Sequence, residues 1–254
     1  MTDPVFPDLK GRSVFITGGG AGIGAALTEA FLRQGAKVAF CQRSDATPFC
    51  DAMERATGNR PLFLPCDIAV TDQLQLTLAT AAKAHGPITT LVNNAANDQR
   101  HDTLKTDQAF WDWSIDVNLR SYFFACQSVI PGMQAAGGGS IINFSSISFM
   151  MADTGYAAYI TANAGIIGLT RTLAREFGPD RIRVNAIAPG WVLTDRQKQL
   201  WVTPDALASH LARQCLPDPI LPADMAGAVL FLAADASRMM TSQTLILDGG
   251  FVSG

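Results

Sequence analysis

Charge is scarce in this chain. Only 16% of its 254 residues are charged, no lysine or arginine run occurs, and the net charge is −3. That leaves no electrostatic footprint for nucleic acid or an anionic membrane surface. No apolar run approaches the roughly 18–20 residues of a membrane span. The opening M-T-D-P-V-F-P-D-L-K lacks the basic–apolar–small order of a secretory leader, so a cytoplasmic protein is expected. The five cysteines, Cys41, Cys50, Cys66, Cys126 and Cys215, contain no C-x-x-C. Such scatter points to reduced thiols in a core rather than to disulfides or zinc. His85, His101 and His210 share no ligand spacing, and no metal is expected.

What the chain does have is apolar residues, 48% of the total, in an alternating order. Strand-like runs at 13–17, 37–41, 61–66, 89–94, 140–145, 183–188 and 244–248 are separated by helical patterns. The helical stretches are 25–34, 48–57, 71–85, a long one at roughly 107–135, and 157–177 before Gly178-Pro179. This alternation predicts an α/β fold, a seven-stranded parallel sheet with helices on both faces. No linker, charge block or repeat divides residues 1–254, so one domain is expected. Only 190–222, rich in Trp, Gln and Pro, breaks the rhythm and is the candidate substrate-covering segment.

The first strand runs into T-G-G-G-A-G-I-G at 17–24 and then a helix. Glycines there let the backbone approach a pyrophosphate, whose charge meets the helix N-terminus. Gly18, Gly22, Ile23 and Gly24 are therefore candidate dinucleotide contacts. The end of the second strand selects between cofactors. An acidic residue there would bind the ribose hydroxyls and repel a 2′-phosphate. This chain has neutral Gln42 followed by Arg43, which either neutralises that phosphate or is a solvated surface charge. The expectation is NADP, or use of both NADP and NAD. Asp67, with Ile68 beside it, can accept from the adenine amino group. Asn94, Ala95 and Ala96, at the end of the fourth strand, can line the adenosine ribose.

Ser146 and Tyr159, thirteen residues apart, follow a strand and open the next helix. A serine hydroxyl and a tyrosine phenol can share one substrate oxygen, and the phenol can exchange a proton with it. A cation one helical turn on would lower the phenol's proton affinity from its usual pKa of about 10. The residue there is Asn163, which brings no charge. Tyr156 is a rival phenol, but Ile160 stands at its i+4 position, and packing or a pocket wall suits it better.

Together these motifs resemble the short-chain dehydrogenase/reductase family over essentially the whole chain. The matching pieces are T-G-x-x-x-G-x-G at 17–24, Asp67, N-N-A at 93–95, Asn118 in D-V-N-L, Ser146, Tyr159, R-V-N-A-I-A-P-G at 183–190 and L-D-G-G at 247–250. The resemblance implies a Rossmann-type doubly wound fold. It also implies Tyr159 as acid–base group, Ser146 polarising the substrate oxygen, and Asn118 holding the geometry and a water in a proton path. Pro189, Gly190, Val192 and Thr194 would contact the nicotinamide and its phosphate. Two positions depart from the pattern: Asn163 falls where the family has the lysine of Y-x-x-x-K, and Ala96 replaces a glycine. The family lysine binds the nicotinamide ribose and charges the phenol's surroundings; asparagine does part of the first and none of the second.

The stretches 97–101, 144–149, 194–205 and 212–216 are similar to sugar 1-dehydrogenases, especially D-xylose dehydrogenase-like members. Those oxidise the anomeric carbon of an aldose to a lactone. On that likeness Asn97, Ser148, Arg196 and Gln197 are candidate polar contacts for a sugar or polyol. Phe149, Trp191 and Trp201 would form its wall, unless the tryptophans only pack the segment. The alternatives are a 3-oxoacyl thioester or ketone reductase of the same family, and a catalytically impaired nucleotide-binding protein. The helices at 107–135 and 157–177 are similar to those that build family tetramers, so a homotetramer is expected.

Overall fold

The computed structural model describes residues 4–252. They build seven strands: β1 (Ser13–Thr17), β2 (Lys37–Gln42), β3 (Leu62–Pro65), β4 (Thr90–Asn93), β5 (Gly139–Phe144), β6 (Ile182–Pro189) and β7 (Thr244–Leu247). They pair in the order β3-β2-β1-β4-β5-β6-β7, every pair parallel. This is the expected doubly wound Rossmann-type sheet. The helices between them are α1 (Gly22–Arg33), α2 (Thr47–Thr57), α3 (Thr71–His85), α4 (Gln108–Ile115), α5 (Ser121–Ala135), α6 (Ser148–Met151) and α7 (Ala157–Phe177). After β6 come α8 (Asp195–Leu200), α9 (Pro204–Leu211) and α10 (Ala226–Ala233).

Side chains alternate across a strand, so a sheet covered on both faces needs apolar residues at every position. All five residues of β1 are buried. Val14 and Ile16 join Val38, Phe40, Val92 and Ile187 in a core with α1 and α10. Phe15 joins Ala39, Leu91, Ile141 and Val184 in a second core with α3, α5 and α7.

The strand order runs outward from β1 in one direction and from β4 in the other. The crevice between their C-terminal ends is where such sheets bind ligands. β4 stops at Asn93, one residue short of the expected run, because the Asn94 N–H leaves the ladder and donates to Thr17 Oγ1 at 2.9 Å. The Ala95 N–H donates to the same oxygen at 3.0 Å. One threonine hydroxyl thus pins the end of β4 against the glycine loop.

The helix expected over 107–135 is interrupted. Between α4 and α5 lies a widened π turn, Asp116–Arg120. The buried Asn118 side chain explains it: its Nδ2 donates to the Ser114 carbonyl at 2.9 Å, the acceptor a regular helix would give to the backbone. The 190–222 segment is closed at its base by a parallel bridge between Val192 and Ile220, with Leu193 N–H donating to Ile220 O at 2.8 Å. Among the described residues no helix is long and apolar enough to cross a membrane, and no group of three or more His, Cys, Asp or Glu is placed to hold a metal ion.

Candidate active site

The crevice is lined first by the glycine loop. Gly18 has φ +71°, and its N–H donates to Cys41 O at 2.7 Å. A Cβ on Gly24 would lie 2.0 Å from Gly18 O, so no side chain fits there. Half-buried Gln42 turns back on the loop: its Oε1 accepts from Gly20 N–H at 3.0 Å, and its Nε2 donates to Ser44. Asn94 Nδ2 donates to Thr17 O at 3.0 Å. Asp67 accepts from Ala69 N–H at 3.0 Å, and Arg43, 68% exposed, stands 4.0 Å from its other oxygen. Ile68 is buried, Ile23 packs on the first core, and Ala96 is exposed. A bare backbone cradle at a helix start, with neutral Gln42 and the exposed Arg43 beyond it, fits a dinucleotide.

The far wall comes from the end of β6. Pro189 O accepts from Ile147 N–H at 3.2 Å, and Gly190 N–H donates to Leu247 O at 2.9 Å. A Cβ on Gly190 would fall 2.8 Å from Asp248 Cα. Buried Val192 sits at the bridge to Ile220. Thr194 caps α8 through Gln197 N–H, and its methyl group faces Gly22, 3.1 Å from where a Cβ would stand. The two walls therefore approach each other at Gly22 and Thr194.

Ser146 leaves the end of β5 and Tyr159 opens α7. Ser145 fixes their relation: its hydroxyl donates to Asn163 O at 3.0 Å and ties strand to helix. Ser146 Oγ accepts from Ser148 N–H at 3.1 Å, which leaves its own proton to donate. Burial pushes the Tyr159 phenol above its ordinary pKa, and the Asp98 carboxylate adds to the rise; hydrogen bonding from Ser146 and Asn163 and the Arg100 charge oppose it. Asn163 is buried and folds back on its own helix, with Nδ2 donating to the Tyr159 carbonyl at 2.9 Å.

Asn118 grips the next loop. Its Oδ1 accepts from Asn97 N–H at 2.8 Å and its Nδ2 donates to Asn97 O at 3.1 Å as well as to Ser114. The loop it holds carries Asp98, a residue that sequence reasoning did not single out. Asp98 accepts from Arg196 at 2.6 Å and from Gln197 Nε2 at 2.8 Å. Gln197 Oε1 in turn accepts from Trp191 Nε1 at 2.9 Å. Arg196, Gln197 and Trp191 are thus brought together, but around Asp98 rather than around an open cavity. Trp191 also packs edge-on against His210, which stacks on Phe251 with centroids 4.4 Å apart. Trp201 lies on the other side, 5.4 Å from the Arg100 guanidinium. The Ser148 hydroxyl is buried without a partner among the described residues, and Phe149 beside it is half-buried.

Tyr156 is buried and stacks on Tyr159 with centroids 5.7 Å apart. Its hydroxyl donates to Asp153 at 2.7 Å. Burial, with Asp153 adding, pushes its pKa up to about 12. A phenol so engaged is a wall. Asp98, Arg100 and Asp153 left no signal by spacing, because the partners that give them meaning are distant in sequence.

Comparison with known proteins shows the family. Residues 18–252 match the family model described as enoyl-(acyl carrier protein) reductase. The chain is 48% identical over 247 residues, 96% of each chain, to a probable galactose dehydrogenase of Rhizobium meliloti. It is 43% identical to the D-xylose 1-dehydrogenase of Caulobacter vibrioides, over 99% of this chain and 100% of that one. A solved structure of a putative gluconate dehydrogenase from Agrobacterium tumefaciens superposes with a TM-score of 0.92 at 29% identity, covering 99% and 100% of the two chains. The chain belongs to the short-chain dehydrogenase/reductase family, oxidoreductases that act on CH–OH groups with a nicotinamide dinucleotide.

Proposed function

We propose that the protein oxidises a sugar or polyol hydroxyl, the anomeric carbon of an aldose to the lactone, with NADP or with both NADP and NAD. One observation supports this most directly: Ser146 hydrogen-bonds the Tyr159 phenol, and Asp98, bound by Arg196 and Gln197 of α8, acts on the same phenol. The galactose and xylose relatives support the substrate class. The dinucleotide, when bound, supplies the hydride acceptor. The residues of the chain do the rest. Ser146 donates its hydrogen bond to the substrate oxygen, and Tyr159 as phenolate takes the hydroxyl proton while the hydride leaves the same carbon. Asn118 holds loop 97–101 in register. Gly18, Gly22, Ile23, Gly24, Asn94, Ala95, Ala96, Pro189, Gly190, Val192 and Thr194 line the cofactor, with Asp67 and Ile68 at the adenine and Gln42 and Arg43 at the ribose. The 190–222 segment is the cover of a one-domain enzyme. Asn97 and Ser148 with its unpartnered hydroxyl face the polyol, Arg196 and Gln197 border it through their hold on Asp98, and Phe149, Trp191 and Trp201 wall it.

Exposed Trp111 and Phe123 on α4 and α5 support a homotetramer, and four free buried cysteines, with Cys215 exposed rather than in the core, support a cytoplasmic setting. The experiment is a panel of aldoses and polyols with NADP and with NAD, from neutral to alkaline pH, read by reduced-nicotinamide absorbance. Aldose-dependent reduction is expected. Asn163 favours a second reading, a catalytically impaired nucleotide-binding protein, and cofactor binding without turnover at every pH would establish it. Turnover of 3-oxoacyl thioesters instead of aldoses would make the protein an acyl reductase.

A further inference from the structure

No cation stands within two turns of Tyr159 on α7, whose first arginine is Arg171, and none stands on the Ser145–Ile147 turn that carries Ser146. Asn163, one turn on, spends its amide on the Tyr159 carbonyl. The charged and titratable groups around the phenol come from several elements. Loop 97–101 brings Asp98 and Arg100, and His101 Nε2 accepts from Ala158 N–H at the start of α7. Asp153 and Tyr156 precede α7, Tyr122 comes from α5, and Arg196 comes with α8. Most are engaged: Asp98 with Arg196 and Gln197, Asp153 with Tyr156, and Tyr122 with Phe144 O at 3.1 Å.

Arg100 differs. Among the described residues no carboxylate stands at ion-pairing distance from it. Its guanidinium lies 3.5 Å over the Tyr156 ring, and the Tyr156 ring stacks on Tyr159 with only 21° between the planes. Trp201 flanks the same guanidinium at 5.4 Å. Two aromatic rings therefore hold an unneutralised cation beside the phenol.

We propose that Arg100 supplies the positive charge that eases proton loss from Tyr159, against the opposing Asp98 carboxylate, which Arg196 and Gln197 offset in part. Both Arg100 and Asp98 are then positioning residues, acting through the phenol. The inference rests on the reading of Tyr159 as the base. It deepens that reading by coupling the cover to the chemistry. With α8 seated, the Asp98 carboxylate is met by Arg196; without it, a bare negative charge faces Tyr159 and holds its proton. The opposed effects of Arg100 and Asp98 on the phenol have the required signs. Arg100 is exposed on its outer side, so water and salt weaken its field and the effect is several-fold rather than many orders.

The chain has three tyrosines, so ring-labelled tyrosine NMR can follow each one through a pH titration. Tyr122→Phe and Tyr156→Phe assign the signals. In Arg100→Met, and in Arg196→Met, Tyr159 should ionise at higher pH than in the unaltered protein, while Arg100→Lys should stay near it. Oxidation of the best aldose by Arg100→Met should fall about three- to fivefold at neutral pH and converge with the unaltered enzyme in alkali. An unmoved Tyr159 titration in Arg100→Met, or an equal loss of rate at every pH, overturns the proposal. If no aldose is oxidised by the unaltered protein, the functional reading fails, and the NMR titration still decides the role of Arg100.

Discussion

Restoring a lysine at position 163 is the sharpest perturbation of this site. Burial and Asp98 hold the Tyr159 phenol protonated above its ordinary range, so the base form is scarce at neutral pH. Oxidation by the unaltered enzyme should therefore climb as pH rises. Asn163→Lys would place an ammonium in the buried hollow beside Tyr159. A unit charge about 6 Å from the phenol oxygen, at an effective dielectric of about 20–40, favours phenolate by about 1.4–2.8 kcal/mol. Desolvation of the ammonium takes back part of this. The expected net effect is about a tenfold gain in kcat/KM at neutral pH, since each 1.4 kcal/mol is tenfold in the phenolate population. The bond from Asn163 Nδ2 to the Tyr159 carbonyl, worth about 1 kcal/mol, is lost in both protonation states. Asn163 also lends hydrogen bonding that lowers the Tyr159 pKa, so its removal takes back part of the gain as well as lowering stability. The assay is kcat/KM for the best aldose across pH, beside cofactor affinity by nicotinamide fluorescence. The lysine variant should rise at lower pH and converge with the unaltered enzyme in alkali. Equal rates at neutral pH with cofactor binding intact, or a gain independent of pH, would refute the electrostatic reasoning.

Three further outcomes follow from the geometry. Gly24→Ala drives a methyl into Gly18 O; it should cost about 2–3 kcal/mol and abolish dinucleotide binding, seen by calorimetry and thermal melting. Arg43→Ala should weaken NADP binding about tenfold, or about 1.4 kcal/mol, and leave NAD unchanged, a ratio read from two titrations. Asn118→Ala strips the Asn97 N–H and C=O of partners; it should cost about 2–4 kcal/mol, lower Tm by about 5–10 °C and depress turnover as loop 97–101 shifts.

The parallel sheet was legible because a strand buried on both faces must be apolar throughout, as Ser13–Thr17 is. The π turn at Asn118 was not, since its cause is one side chain capturing the Ser114 carbonyl. Ser146, Tyr159 and the glycine loop stood out because their spacing is local to one strand–loop–helix unit. Arg196, Gln197 and Trp191 were legible as candidates for the polyol pocket, but not their mutual bonding. Their meeting point, Asp98, lies about a hundred residues earlier in the chain.

The sequence alone determined the order of the strands along the chain, the glycine cradle, the Ser146–Tyr159 pair and the missing charge at Asn163. Each of these depends on residue type at short spacing, where backbone periodicity fixes the geometry. Only the tertiary structure decided how the charges around Tyr159 balance. Asp98 meets Arg196 across the crevice, and Arg100 lies on the Tyr156 ring with no carboxylate partner among the described residues. Electrostatic influence depends on distance and burial in space, and loops distant in the chain meet only once the sheet has folded between them.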